Sequence, residues 1–297
     1  MRILFVVDQN RYSARIIPQV VRLAMNTWSD ITLLGVQPKV NTTKNKSATT
    51  PGWRDLDRSF IATLHEYREA FFSCFQDQTS PYSQLKYDYQ VVEVRRGVYE
   101  ELSVGRSSQK DFSVRLRPGN PSKEILAEAR QEGSDLIVLG CDHAKSCRWE
   151  EWGSVPRKVA TEAACSVLVV KKEKNIQKVL CCLDHDRVSQ ESLEMISQMV
   201  TLYQAELDIV GLTDSDSLQE NVEQKLDWIL KYYTARKIRP WIELVPLSSL
   251  ETFISREARW GLMALWIGEK SILQKVFSRK TVNRLIQASD SSVLILR

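Results

Sequence analysis

Residues 140–159, GCDHAKSCRWEEWGSVPRKV, contain the side chains and backbone best suited to hold a phosphate. Gly140 follows the apolar run DLIVL, so a ligand can approach its backbone with no Cβ in the way. Gly153-Ser154 stands just ahead of Val155-Pro156-Arg157, which reads as a helix start, where free backbone N–H groups, a hydroxyl and the helix dipole favour an anion. The same residues have a plain structural use: a glycine that ends a strand and a serine that caps a helix. Asp8, at the end of RILFVVD, either accepts hydrogen bonds from a ligand or caps the turn begun by Gln9-Asn10.

Other chemistry lacks its residues. The chain has no G-x4-G-K-[ST] loop, no SGG-type adenylation loop and no G-x-S-x-G elbow. Its six cysteines include no C-x-x-C and only three histidines accompany them, so no metal is expected and the thiols should be reduced and mostly buried.

The elements that position these residues occur twice. RILFVVD (2–8) and KVLCCLD (178–184) are short apolar runs ending in an acid, each followed by a helical pattern, Ile16, Val20, Leu23 and Ala24 in one case and Leu193, Ile196, Val200 and Tyr203 in the other. Strand-like ITLLGV (31–36) matches LDIVGL (207–212). A helix with Phe60, Leu64, Tyr67 and Phe71 on one face matches one with Val222, Leu226, Ile229 and Tyr233. DFSVRLRP (111–118) pairs with WIELVP (241–246), and NPSKEILAEARQEGSDLIVLG (120–140) with SSLETFISREARWGLMALWIG (248–268). Asn120 with Pro121, and Ser248 with Glu251, read as helix starts, and Gly133 and Gly261 as left-handed stops. The copies close on SVLVV (166–170) and SVLIL (292–296).

Strands alternating with helices imply right-handed crossovers and parallel sheets covered on both faces. The expected fold is α/β, with two tandem five-stranded parallel-sheet domains of Rossmann-like form, residues 1–171 and 176–297. The first copy is longer, with insertions near 38–52 and 76–110. The former reads as a polar loop. The latter, with YDYQVVEV and GVYEELSV, reads equally as an added hairpin or a partner-binding flap.

The spacing Gly140, two residues, His143, nine residues, Gly153-Ser154 resembles the G-x2-G-x9-G-[ST] signature of the universal stress protein family. With the early Asp8, PGNP (118–121) and the terminal SVLVV in order, the whole chain resembles a tandem member of that family. The resemblance implies a stress-responsive regulatory protein that binds ATP or AMP, with or without Mg, in its first domain, and no enzyme beyond slow ATP hydrolysis. It implies that Asp8 and Val36 frame adenine and ribose, Leu139 and Gly140 line the floor, and Gly153, Ser154 and Val155 meet the phosphates. It also implies pairing of domains or chains through the last strand, as a pseudo-twofold domain pair or a homodimer. His143 departs from the signature: its imidazole either blocks the phosphate path or, protonated, pairs with phosphate. The second copy keeps Gly268 but has Ser271 at the second position and no Gly-Ser pair, so its site is degenerate. These departures support an alternative, a nucleotide-independent protein-interaction or scaffold module with vestigial pockets.

Composition narrows the partners. Lys and Arg number 41 against 37 Asp and Glu, a net charge of +4 that is too small to argue for nucleic acid without a clustered basic face, so nucleic acid is not an expected partner. No apolar run reaches the roughly 18 residues of a membrane span and no signal peptide opens the chain, which gives a cytoplasmic expectation.

Overall fold

The computed structural model of the protein describes residues 1–38, 56–75, 82, 89–103, 110–141, 155–171, 176–182, 188–213, 220–257, 261–266 and 291–297. Contacts divide the chain into two compact units, Met1–Cys165 and Ser166–Arg297.

The first unit runs β1 (Arg2–Val7), α1 (Arg11–Arg15), α2 (Ile17–Thr27), β2 (Asp30–Gln37), α3 (Arg58–Ser73), β3 (Tyr89–Arg95), β4 (Val98–Ser103), β5 (Phe112–Pro118), α4 (Pro121–Glu132), β6 (Leu136–Gly140) and α5 (Val155–Glu162). Its sheet order is β6-β1-β2-β5-β4-β3, with the first four strands parallel. Helices on both faces explain why β1 and β6 are apolar at nearly every position and buried along almost their whole length.

The second unit holds β7 (Ser166–Val170), β8 (Lys178–Cys182), α6 (Gln190–Tyr203), β9 (Glu206–Thr213), α7 (Glu220–Thr234), β10 (Trp241–Pro246), α8 (Leu250–Glu257), β11 (Leu262–Trp266) and β12 (Ser292–Leu296). Their order is β10-β9-β8-β11-β12-β7. All pair in parallel except β7, which runs antiparallel to β12 with Leu168 opposite Leu294. By contacts β7 is grouped with the second unit, where it is laddered onto β12.

Local chemistry sets the element ends. The Asn120 side chain accepts from the Lys123 N–H, Pro121 opens α4, and Gly133 closes it at φ 59°. The first helical pattern is split: α1 stops at Ile16, and Pro18, which has no N–H to give, lies in the first turn of α2. Gly261 is not a left-handed stop. It is glycine because a Cβ there would lie 2.2 Å from the Lys178 carbonyl oxygen, so β8 and the entry to β11 touch backbone to side-chain position. Nor does Ser248 cap a helix; Leu247–Ser249 form a 3-10 turn that leads into α8. Of the five described cysteines, Cys181 and Cys182 alone are buried.

The second insertion of the first copy is a hairpin. β3 and β4 are antiparallel, turn through Gly97 at φ 71°, and add to the outer edge of β5 with Tyr99 opposite Leu116 and Glu100 opposite Arg115. Consecutive carboxylates on β4 tie it to both layers. Glu100 accepts from Arg115 at 3.1 Å on the α4 side, where Arg115 and Arg117 each donate to the fully buried Glu128 at 2.5 Å. Glu101 turns the other way, 2.7 Å from Arg68 and 2.8 Å from His65 on α3. Arg95 on β3 adds a 2.7 Å contact to Glu132. Burial alone would raise the Glu132 carboxyl, but the Arg115 and Arg95 guanidiniums outweigh it and hold it below its ordinary value. Burial would lower Arg115, and Glu128, Glu132 and Glu100 reverse that, so it is held more firmly protonated. The first insertion, near 38–52, lies outside the described residues apart from Pro38.

Candidate functional site

The carboxyl ends of β1, β2 and β6 lie side by side, with Val7 opposite Gly35 and Val6 opposite Leu139. Parallel order brings every strand to the same edge of the sheet, where α/β proteins place their ligands. Asp8, Val36, Leu139 and Gly140 are therefore brought together. Val36 and Leu139 are buried side chains of the core, and Val155, at the start of α5, is buried as well. His143, Gly153 and Ser154 lie outside the described residues, as do Asp184 and the second copy's stretch from Gly268 to Arg284.

The Asp8 carboxylate is engaged within its own chain. Oδ1 accepts from the Asn10 N–H at 3.0 Å and the Ser13 hydroxyl at 2.8 Å. Oδ2 accepts from the Asn10 amide and the Tyr12 hydroxyl, both at 2.5 Å. A carboxylate offers about four acceptor positions, and these bonds occupy them. The local sequence explains the arrangement: a short acid two residues before Asn10 closes an Asx-type turn, and the helix that follows presents Tyr12 and Ser13 four and five residues on. Tyr67 on α3 braces the same turn, its hydroxyl donating to the Asp8 carbonyl at 3.0 Å and to that of Asn10 at 3.1 Å. Burial first, then the charges of Asp8 and Glu66, push the Tyr67 phenol up to about 12.

Gly140 faces Tyr12. A Cβ built on it would lie 2.9 Å from Tyr12 Cδ2 and 3.2 Å from Ile16 Cδ1. Tyr12, only 8% exposed, thus bridges the ends of β1 and β6, with its ring over Gly140 and its hydroxyl on Asp8. The absent side chain at position 140 makes room for an aromatic ring of the protein itself. Sequence reasoning missed Tyr12, whose signal was available: an aromatic residue one helical turn after the acid. It also missed the Glu128 cluster, whose signal was Arg115 and Arg117 two apart on a strand and Glu124, Glu128 and Glu132 four apart on a helix.

The fold and this strand-end arrangement define a Rossmann-like α/β protein with a mostly parallel sheet, built of repeated units. The sequence profile of the universal stress protein family matches residues 1–171, more than half of the chain, and the chain belongs to that family. Solved structures agree in fold. A universal stress protein from Archaeoglobus fulgidus DSM 4304 is 13% identical with a TM-score of 0.64, covering 100% of this chain and 96% of its own. A putative universal stress protein from Pseudomonas aeruginosa UCBPP-PA14 is 16% identical with a TM-score of 0.56, covering 99% and 92%. The cytoplasmic domain of a prokaryotic cation chloride cotransporter is 10% identical with a TM-score of 0.52, covering 99% and 94%. No curated protein matches the chain. Among the described residues no helix is long and apolar enough to cross a membrane.

Proposed function

We propose that this chain is a cytoplasmic regulatory module of two tandem family units that acts by binding other proteins, with the nucleotide mouth of its first unit filled by its own Tyr12. One observation carries the reading: Tyr12 covers Gly140 while its hydroxyl and three other groups of the same chain take the acceptor positions of Asp8. An adenine or ribose donor aimed at Asp8 has to displace a charge-assisted hydrogen bond worth about 1.5–3 kcal/mol before it gains one. No catalytic role is assigned to any residue.

A second reading keeps the mouth as an adenine-nucleotide site. It is favoured by family membership and by the convergence of Asp8, Val36 and Gly140 at adjacent strand ends, with α5 starting directly after Gly153-Ser154. In that reading ATP or AMP, with or without Mg, drives Tyr12 off Gly140, and the bound phosphates permit at most slow hydrolysis.

Calorimetry and thermal shift with ATP and AMP, each with and without Mg, separate the two. The expected result is no saturable response at millimolar nucleotide. Saturable binding to the wild type that is lost in a Gly153→Arg, Ser154→Ala double variant would overturn the first reading and establish the second.

A further inference from the structure

Leu116 and Leu244 occupy the same place in the two units, yet one is covered and the other is not. Each stands opposite the glycine of its neighbouring parallel strand, Leu116 opposite Gly35 of β2 and Leu244 opposite Gly211 of β9. Leu116 is 3% exposed and Leu244 42%. The difference is one strand. β4 lies antiparallel along the outer edge of β5 and sets Tyr99 against Leu116, whereas among the described residues β10 pairs with β9 alone. β10 also exposes Trp241 at 74%. An open edge with apolar side chains is a template for another strand, and its backbone groups supply affinity while side-chain pairs supply choice.

We infer that the outer edge of β10 docks an extended segment of a partner protein, antiparallel and in the register β4 uses on β5, with a large apolar residue opposite Leu244 and a lysine or arginine opposite Glu243.

The register fixes this chemistry. Glu243 precedes Leu244 as Arg115 precedes Leu116, and Arg115 is met by Glu100 at 3.1 Å. The sign at that position is inverted in the second unit, so the complementary residue is basic. The next residue of β4, Glu101, points to His65 and Arg68 on α3. The shared spacing of Leu64, Tyr67 and Phe71 with Leu226, Ile229 and Tyr233 sets Asp227, 2.5 Å from Lys231, where His65 stands and Leu230 where Arg68 stands, so the charge requirement ends at the first position. The docked segment therefore reads apolar, basic where β4 reads Tyr99, Glu100. A second copy of β10 does not meet the requirement in any register, because WIELVP has no basic residue.

The inference rests on the protein-contact reading and names its surface. Two synthetic peptides test it on the full chain: residues 89–103 as they stand, and the same peptide with Glu100→Lys. Amide shifts in β10 and Trp241 fluorescence report binding. The lysine peptide is expected to bind at β10 at least about threefold more tightly, from one opposite-charge cross-strand pair in place of a like-charge one. Glu243→Lys in the chain is expected to weaken that preference. Equal affinity of the two peptides, shifts confined to other elements, or a wild-type homodimer abolished by Leu244→Lys in sedimentation would overturn it. A nucleotide response overturns the protein-contact reading and leaves the peptide result standing, whereas failed peptide discrimination without a nucleotide response removes this inference alone.

Discussion

Gly140→Ala separates packing from ligand binding at the strand ends. The new Cβ meets Tyr12 Cδ2 at 2.9 Å, Ile16 Cδ1 at 3.2 Å and Tyr12 Cε2 at 3.3 Å, so the ring has to move. The ring is not free to do so cheaply, because its hydroxyl is held by Asp8 at 2.5 Å and its body is buried. Forcing one methyl into such packing costs about 1–3 kcal/mol. With Tyr12→Ala as background, two of the three contacts disappear and only that to Ile16 remains, which lowers the cost of the methyl to under about 1 kcal/mol. The expected coupling is about 1–2 kcal/mol, well above the roughly 0.3–0.5 kcal/mol scatter of independent sites. Urea titration with amide exchange of β1 and β6 reports the first unit specifically. Additive costs in the two backgrounds would refute the claim that Gly140 exists to seat Tyr12.

Three further outcomes follow from the geometry. Glu128→Ala leaves Arg115 and Arg117 buried without their common carboxylate, and should destabilise the first unit by about 3–5 kcal/mol in urea melts; a loss below about 1 kcal/mol contradicts the cluster's role. Glu132 has a depressed folded value, so its contribution is fully present above the ordinary glutamate value of 4.5 and is lost as pH falls through the lower folded one. Exchange protection of β3 and β4 should therefore fall on acidification, and less steeply in Glu132→Gln. Burial pushes the Cys182 thiol up from 9.0 to about 12 and Cys181 up as well, with the neighbouring Cys182 a lesser cause. Below 9.0 that stabilising difference is complete, and it declines as pH rises toward the folded value. Iodoacetamide at pH 8 should label exposed Cys74 in the native protein and leave Cys181 and Cys182 unmodified until the chain unfolds.

The fold was readable where a single local rule governs. Apolar runs of five or six residues marked the parallel strands, because burial on both faces leaves no polar side to confuse the period. The Asn120-Pro121 start and Gly133 stop of α4 followed from caps that act within one turn. Gly261 was misread because a left-handed stop and a close backbone approach both select glycine, and only the Lys178 carbonyl decides between them. The same ambiguity governs position 140. Asp8 was correctly placed at the strand end with Val36 and Gly140, but the occupant of that space depends on Tyr12, whose ring direction no spacing rule encodes.

The hairpin shows why the two repeats need separate readings. β5 and β10 end alike, each running to a proline opposite the end of its neighbour, Pro118 at Gln37 and Pro246 at Thr213. A strand at the rim of a sheet keeps its apolar residues only if something covers them or if they are used. In the first unit the cover is in the same chain, and its carboxylates match Arg115, Arg68 and His65. In the second unit Leu244 and Trp241 stay exposed beside a glutamate where the first has an arginine. Had that edge merely lost its hairpin, polar replacement of Leu244 and Trp241 would remove an aggregation hazard without cost to packing. Their exposure, with the charge reversed, fits a strand that is completed from outside the chain.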